Sequence, residues 1–197
     1  MEDVALNYPA LHMPNTASVG ELMSGQPGKP LPPELESFLA SGSDAIIVSF
    51  GSFFDFLPPQ VGRQFCDAFR QLPRETRVVW KLQSDTADLC SGAAPDNIRA
   101  MSWIPQNDLL ADRRVKLFVS HGGLNSIVES VYHAKPLLII PLAFDQPANA
   151  AAATAKGFAV QMDLADISSV GLVHNIRLII ADPDLRRCAD RTGRPPS

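Results

Sequence analysis

From Asp44 onward, short and nearly continuous apolar runs alternate with longer stretches whose apolar residues recur every three or four positions. The runs are 45–52 (AIIVSFGS), 77–82 (RVVWKL), 97–104 (NIRAMSWI), 115–120 (VKLFVS), 136–142 (PLLIIPL) and 158–162 (FAVQM). Runs of this length with little polar alternation predict strands buried on both faces. Between them, 58–73 places Val61, Phe65, Ala68, Phe69 and Leu72 on one helical stripe. A second helix opens at Gly122, an alanine-rich one covers 145–156, and another covers 169–182 and ends before Pro183. Strand, turn and helix repeated in this way predict an α/β fold: a doubly wound, Rossmann-like parallel sheet with helices on both faces. Residues 1–43 are proline-rich and weakly periodic, with one short helix expected to start at Pro33 and Glu34 and to be closed by Gly42. The expected division is a leading segment over 1–43, the sheet domain over 44–190, and a frayed tail over 191–197.

In such sheets the ligand lies beyond the carboxyl ends of the strands, near the point where strand order reverses. That rule singles out Gly51 and Ser52, 80–82, 103–106, 121–129, and Asp145 with Gln146. His121 is followed by Gly122 and Gly123, which allow close backbone approach and open a helix whose free N–H groups favour an anion. Asn125 and Glu129 are four apart and share a helix face, a donor above a carboxylate. Such a pair suits a phosphate above a ribose diol, or else is a polar surface after a glycine turn. Trp103 offers a flat face to a base or fills the core, and Gln106 carries both a donor and an acceptor. Asp145 and Gln146 either cap a helix or bind a polyhydroxylated sugar, and Asn149 either adds a contact or continues the helix. Neither G-x-G-x-x-G nor a P-loop spacing is present, which argues against a Rossmann dehydrogenase.

Composition narrows the classes further. A net charge of -4 with scattered Lys and Arg gives no nucleic-acid footprint. The longest apolar run, PLLIIPLAF, is interrupted by Pro141 and too short to span a bilayer, and the first fifteen residues do not read as a signal peptide, so a soluble chain is expected. Cys66, Cys90 and Cys188 are odd in number and widely spaced, which predicts neither a zinc site nor a disulfide framework. His12, His133 and His174 read as surface or packing residues, and the Asp182-Pro183-Asp184 triplet as a proline turn with a cap. Met101, Phe53 and Phe54 read as packing, with the two phenylalanines alternatively facing a cleft.

Taken together, WIPQNDLL, FVSHGGLNSIVES and PLLIIPLAFDQPANA resemble the signature of the UDP-glycosyltransferase family, with W-x-P-Q, H-x-G-x-N-S-x-x-E and D-Q in order. The upstream pieces YPALHMPNTASVGEL and LPPELESFLASG resemble its animal, membrane-attached branch. The resemblance implies the C-terminal, donor-binding half of a GT-B enzyme that is inverting and metal-independent. It implies a UDP-sugar donor, UDP-glucose or UDP-glucuronic acid, a small lipophilic acceptor, and no cofactor. Carried over by motif, Trp103 stacks on uracil, Gln106 lies near base and ribose, and Glu129 binds ribose hydroxyls. Ser52, His121, Asn125 and Ser126, with Gly123 in the turn, hold the diphosphate, while Asp145 and Gln146 contact the sugar. Animal relatives often have glycine at Ser126, plant relatives have tryptophan at Leu124, and Lys81 matches a basic position in some relatives. The family's general base is a histidine of the N-terminal half, so no catalytic residue is expected in this chain. The resemblance further implies an N-terminal acceptor-binding partner half, attachment to the endoplasmic reticulum membrane on its lumenal side through a segment absent here, and a homodimer as one option. It leaves open an excised fragment, a natural donor-binding subunit, or a non-enzymatic module of the same fold.

Overall fold

The computed structural model describes residues 27–51, 58–83, 89–90, 92 and 94–193. Six strands form one sheet: β1 (Asp44–Ser49), β2 (Thr76–Lys81), β3 (Ile98–Met101), β4 (Val115–Ser120), β5 (Leu137–Ile139) and β6 (Ala159–Gln161). All neighbouring pairs are parallel and the order is β3-β2-β1-β4-β5-β6. This is the order of a doubly wound sheet, which reverses direction between β1 and β4. Among the described residues there are seven α-helices. They are α1 (Pro33–Ala40), α2 (Pro59–Arg70), α3 (Gln106–Ala111), α4 (Leu124–Tyr132), α5 (Gln146–Ala155), α6 (Ser169–Ala181) and α7 (Pro183–Gly193).

The apolar runs became strands because both alternations are buried. Ile46, Val48, Val78, Trp80, Leu117 and Val119 face one layer, where they meet Phe65, Phe69, Leu172 and Ile176 of α2 and α6. Ala45, Ile47, Val79, Phe118, Leu137 and Ile139 face the other, against α1, α3, α4 and α5. The leading helix α1 belongs to this second layer. Leu35, Phe38 and Leu39 are buried, and the Arg114 guanidinium donates to both Glu36 carboxylate oxygens, at 2.8 and 2.7 Å.

Three expectations change. Cys66 and Cys90 form a disulfide with 5.3 Å between their Cα atoms, tying α2 to the segment after β2, while Cys188 is free and half-buried. Widely spaced cysteines gave no sign of the pairing because α2 and β2 are brought side by side only by the sheet. The strand expected over 97–104 ends at Met101, and the short helix α3 follows, since six residues are too few for a helical period to show in the sequence. Helix α7 runs to Gly193, into the segment expected to fray. The Asp182 carboxylate accepts from the Asp184 N–H at 2.8 Å and opens α7, as the proline-turn reading requires. Among the described residues no helix is long and apolar enough to cross a membrane.

Candidate functional site

Two neighbouring strands end in the same way at the switch point. Ser49 of β1 and Ser120 of β4 are register partners. The Ser49 hydroxyl accepts from the Gly51 N–H at 3.4 Å, and the Ser120 hydroxyl from the Gly122 N–H at 3.2 Å. Gly51 and Gly122 both have positive φ, 83° and 87°, which side chains with a Cβ rarely adopt. His121 sits between the two turns. A Cβ on Gly51 would lie 2.9 Å from the His121 Cε1, and one on Gly123 would lie 2.5 Å from its Nε2. The glycines therefore make room for the imidazole as well as for the turn. Burial holds the His121 pKa below its ordinary value, the Ser49 carbonyl and Asp145 oppose that shift, and Lys81 reinforces it. Lys81 itself spans from β2 to the first turn, donating to the Gly51 carbonyl at 2.7 Å.

Helix α4 starts at this turn with Gly123 as its N-cap and no side-chain cap. Its first-turn N–H groups therefore face the glycine turn. Asn125 is exposed there, Ser126 is buried, and Glu129 is half-buried one turn deeper. Gln106, the first residue of α3, donates from Nε2 to the Glu129 carboxylate at 2.8 Å and to the Ser126 hydroxyl at 3.3 Å. Burial raises the Glu129 pKa, and the Gln106 hydrogen bond partly offsets this. Trp103 lies three residues before Gln106, in the turn after β3, and is 68% exposed. That settles its choice between core and surface. Trp80, by contrast, is fully buried within β2 and leaves the strand-end set.

The third edge of the site follows β5. Asp145 is the exposed N-cap residue of α5, and its carboxylate accepts from the Asn149 Nδ2 at 2.8 Å. Asn149 Nδ2 also donates to the Gly122 carbonyl at 3.0 Å, so it links the acid to the glycine turn. Gln146 is buried, and its Oε1 accepts from the Leu142 and Ala143 N–H groups at 2.8 and 3.0 Å. That oxygen shapes the loop. Ser52, Phe53, Phe54 and His12 lie outside the described residues. His174 is exposed, whereas His133 has a partner that its sequence context did not reveal, Asn107 Oδ1 at 2.9 Å from Nε2. Among the described residues no group of three or more His, Cys, Asp and Glu is arranged to hold a metal.

Along one edge, then, run an exposed indole, an amide–carboxylate pair, an imidazole between glycine turns, and an exposed acid. The family model described as UDP-glucoronosyl and UDP-glucosyl transferase matches residues 1–191. The chain belongs to the UDP-glycosyltransferase family. It is 37% identical to UDP-glucuronosyltransferase 2B1 of Rattus norvegicus over 191 residues, 96% of this chain and 35% of that protein. It is also 37% identical to UDP-glucuronosyltransferase 3A1 of Bos taurus, over 95% of this chain and 36% of the relative. The chain thus spans about a third of the length of the curated relatives it matches. Among solved structures, the glycotransferase of kitacinnamycin superposes with a TM-score of 0.71 at 27% identity, covering 79% of this chain and 39% of that one. CalG4, the calicheamicin glycosyltransferase, gives the same TM-score at 23% identity, over 89% of this chain and 41% of its own, a likeness of fold. The expected doubly wound architecture is therefore the fold of GT-B glycosyltransferases.

Proposed function

We propose that this edge binds the UDP-sugar donor of a UDP-glycosyltransferase. The observation that carries the reading is the convergence of Trp103, the Gln106–Glu129 pair, His121 and Asp145 over the ends of parallel strands. Trp103 stacks on the uracil, a contact worth roughly 1–3 kcal/mol by analogy with base stacking on aromatic side chains. Glu129, already oriented by Gln106, accepts from the ribose hydroxyls. The diphosphate lies over the glycine turn, where the N-terminus of α4, Asn125, His121 and Ser126 face it; Ser52 is assigned to it by motif alone. Asp145, oriented by Asn149, takes sugar hydroxyls, as does the Nε2 side of Gln146.

In the whole enzyme, a base in the N-terminal half removes the acceptor hydroxyl proton while the hydroxyl oxygen displaces UDP with inversion at the anomeric carbon. Negative charge then grows on the diphosphate. The first-turn N–H groups of α4, which no side chain caps, are already oriented toward it, and such preorganised donors stabilise the leaving group without a divalent ion. The transferred group is a glucuronosyl or hexosyl unit and the acceptor a small lipophilic molecule. The Cys66–Cys90 disulfide favours an oxidising compartment, which agrees with the lumen of the endoplasmic reticulum.

Titration calorimetry of the chain with UDP, with and without EDTA, tests this. Binding of equal strength in both is expected. No binding, or binding abolished by EDTA, would refute the reading.

A further inference from the structure

The turn between β5 and α5 holds its least suitable residue at its tightest point. The Gln146 N–H donates to the Ala143 carbonyl at 3.2 Å, which makes 143–146 a four-residue turn. Phe144, its first central residue, has φ 59°, and Asp145 has φ −78° and ψ −11°. Those angles belong to a type II′ turn, whose first central position is normally glycine. Phe144 is also 88% exposed. Positive φ in a bulky residue and an apolar ring in water both disfavour the fold, and neither is relieved by packing. The turn is nonetheless held firmly. Gln146 Oε1 accepts two loop N–H groups beneath it, and Asn149 ties Asp145 to the Gly122 carbonyl. The other non-glycine residue with positive φ among the described residues, Ala134, is small and lies just past the end of α4, where that conformation is common.

We propose that Phe144 is a specificity-determining platform at the sugar end of the donor site. Its ring lies against the C–H face of the hexose while the neighbouring Asp145 takes the hydroxyls. This rests on the reading of the edge as a nucleotide-sugar site. A hexose has both an apolar face and a rim of hydroxyls, so an aromatic ring adjoining a carboxylate matches it. Phe144 follows β5 and Trp103 follows β3, four inter-strand spacings or about 19 Å apart at the strand ends, which places the two rings at opposite ends of the ligand.

The test titrates the 197-residue chain, Phe144→Gly and Phe144→Trp with UDP, UDP-glucose and UDP-glucuronic acid, alongside thermal unfolding. Phe144→Gly is expected to unfold no earlier than the parent and to bind UDP within about twofold. It should lose about three- to tenfold toward at least one UDP-sugar, and Phe144→Trp should restore that affinity. An unchanged ratio of UDP-sugar to UDP affinity in Phe144→Gly overturns the proposal, as does equal loss for UDP, or earlier unfolding, which makes Phe144 a prop for the turn. If the parent chain binds no UDP, the donor-site reading itself falls; if it binds UDP and the ratio does not move, only the role of Phe144 does.

Discussion

His121 shows how much of a site can depend on residues with no side chain. Its ring occupies the space left by Gly51 and Gly123, and its burial lowers its pKa, favouring the neutral imidazole. A diphosphate beside it would favour the imidazolium, so binding UDP takes up a proton in the window between the lowered free pKa and the higher bound one. Affinity for UDP relative to uridine should therefore rise as pH falls through that window. In more acidic solution both ligands should lose affinity as Glu129, whose pKa burial raises, takes a proton and loses its charge as the proposed ribose acceptor. In His121→Ala the relative rise should vanish, leaving only the titration of the ligand's own phosphate. At neutral pH the same variant should weaken UDP by about tenfold, ~1.4 kcal/mol, and uridine by less than twofold. Equal losses for the two ligands in calorimetry would remove His121 from the phosphate. The place of this residue was legible in the sequence because an apolar run closed by His-Gly-Gly has few alternatives to a strand-to-helix turn. Its surroundings were not. Lys81 on the Gly51 carbonyl and Gln106 on Glu129 join residues 30 and 23 positions apart, and only the packed sheet sets such distances. Lys135, buried with its ammonium on the Asp112 and Val115 carbonyls and its pKa lowered by burial to about 8, is likewise placed by packing rather than by local sequence.

Elements carried their signals unequally. The strands were readable because both faces of each are covered, so their sequences lack the polar alternation of a half-exposed sheet. Helix α2 was readable from its stripe, but not what its cysteine does. Cys66 points to the segment after β2, where the Cys90 carbonyl also accepts from Arg70 at 2.8 Å and Leu89 packs close to Gly62. Closing a loop across a sequence separation of 24 should stabilise the fold by about 3 kcal/mol through the unfolded chain. Cys66→Ala with Cys90→Ala should accordingly lower the urea midpoint, and reductant should then have no further effect. A midpoint equal to that of the oxidised parent would show that the bond is not formed in solution. The leading helix makes a similar point about boundaries. Composition assigns it to a proline-rich approach, yet Phe38 lies among the buried residues, with the Arg77 and Arg99 guanidiniums 5.6 and 5.4 Å from its ring centre. Phe38→Ala should cost about 3 kcal/mol in a denaturant titration; a change under about 0.5 kcal/mol would mean that α1 is dispensable to the sheet domain.

At the scale of the whole molecule, topology assembles the site. With every strand parallel, residues that follow β1, β3, β4 and β5 emerge on one edge however far apart they lie in the chain. The net charge of -4 says little about affinity for an anion, because on the proposed reading attraction at this edge would come from the uncapped N-terminus of α4 rather than from the sum of charges. The two tryptophans offer an internal control, since Trp80 is sealed in the core and Trp103 stands at the edge. The most direct measurement is a 15N NMR titration of the chain with UDP in the presence of EDTA. The account predicts that the Trp103 indole N–H and the amides of Gly51, Gly122 and Gly123 shift together with one dissociation constant. The Trp80 indole, sealed in the core, and the amide of Lys135, before the opposite end of β5, should stay in place. Shifts that gather around Lys135, or a Trp103 resonance unmoved while UDP saturates the protein, would contradict it.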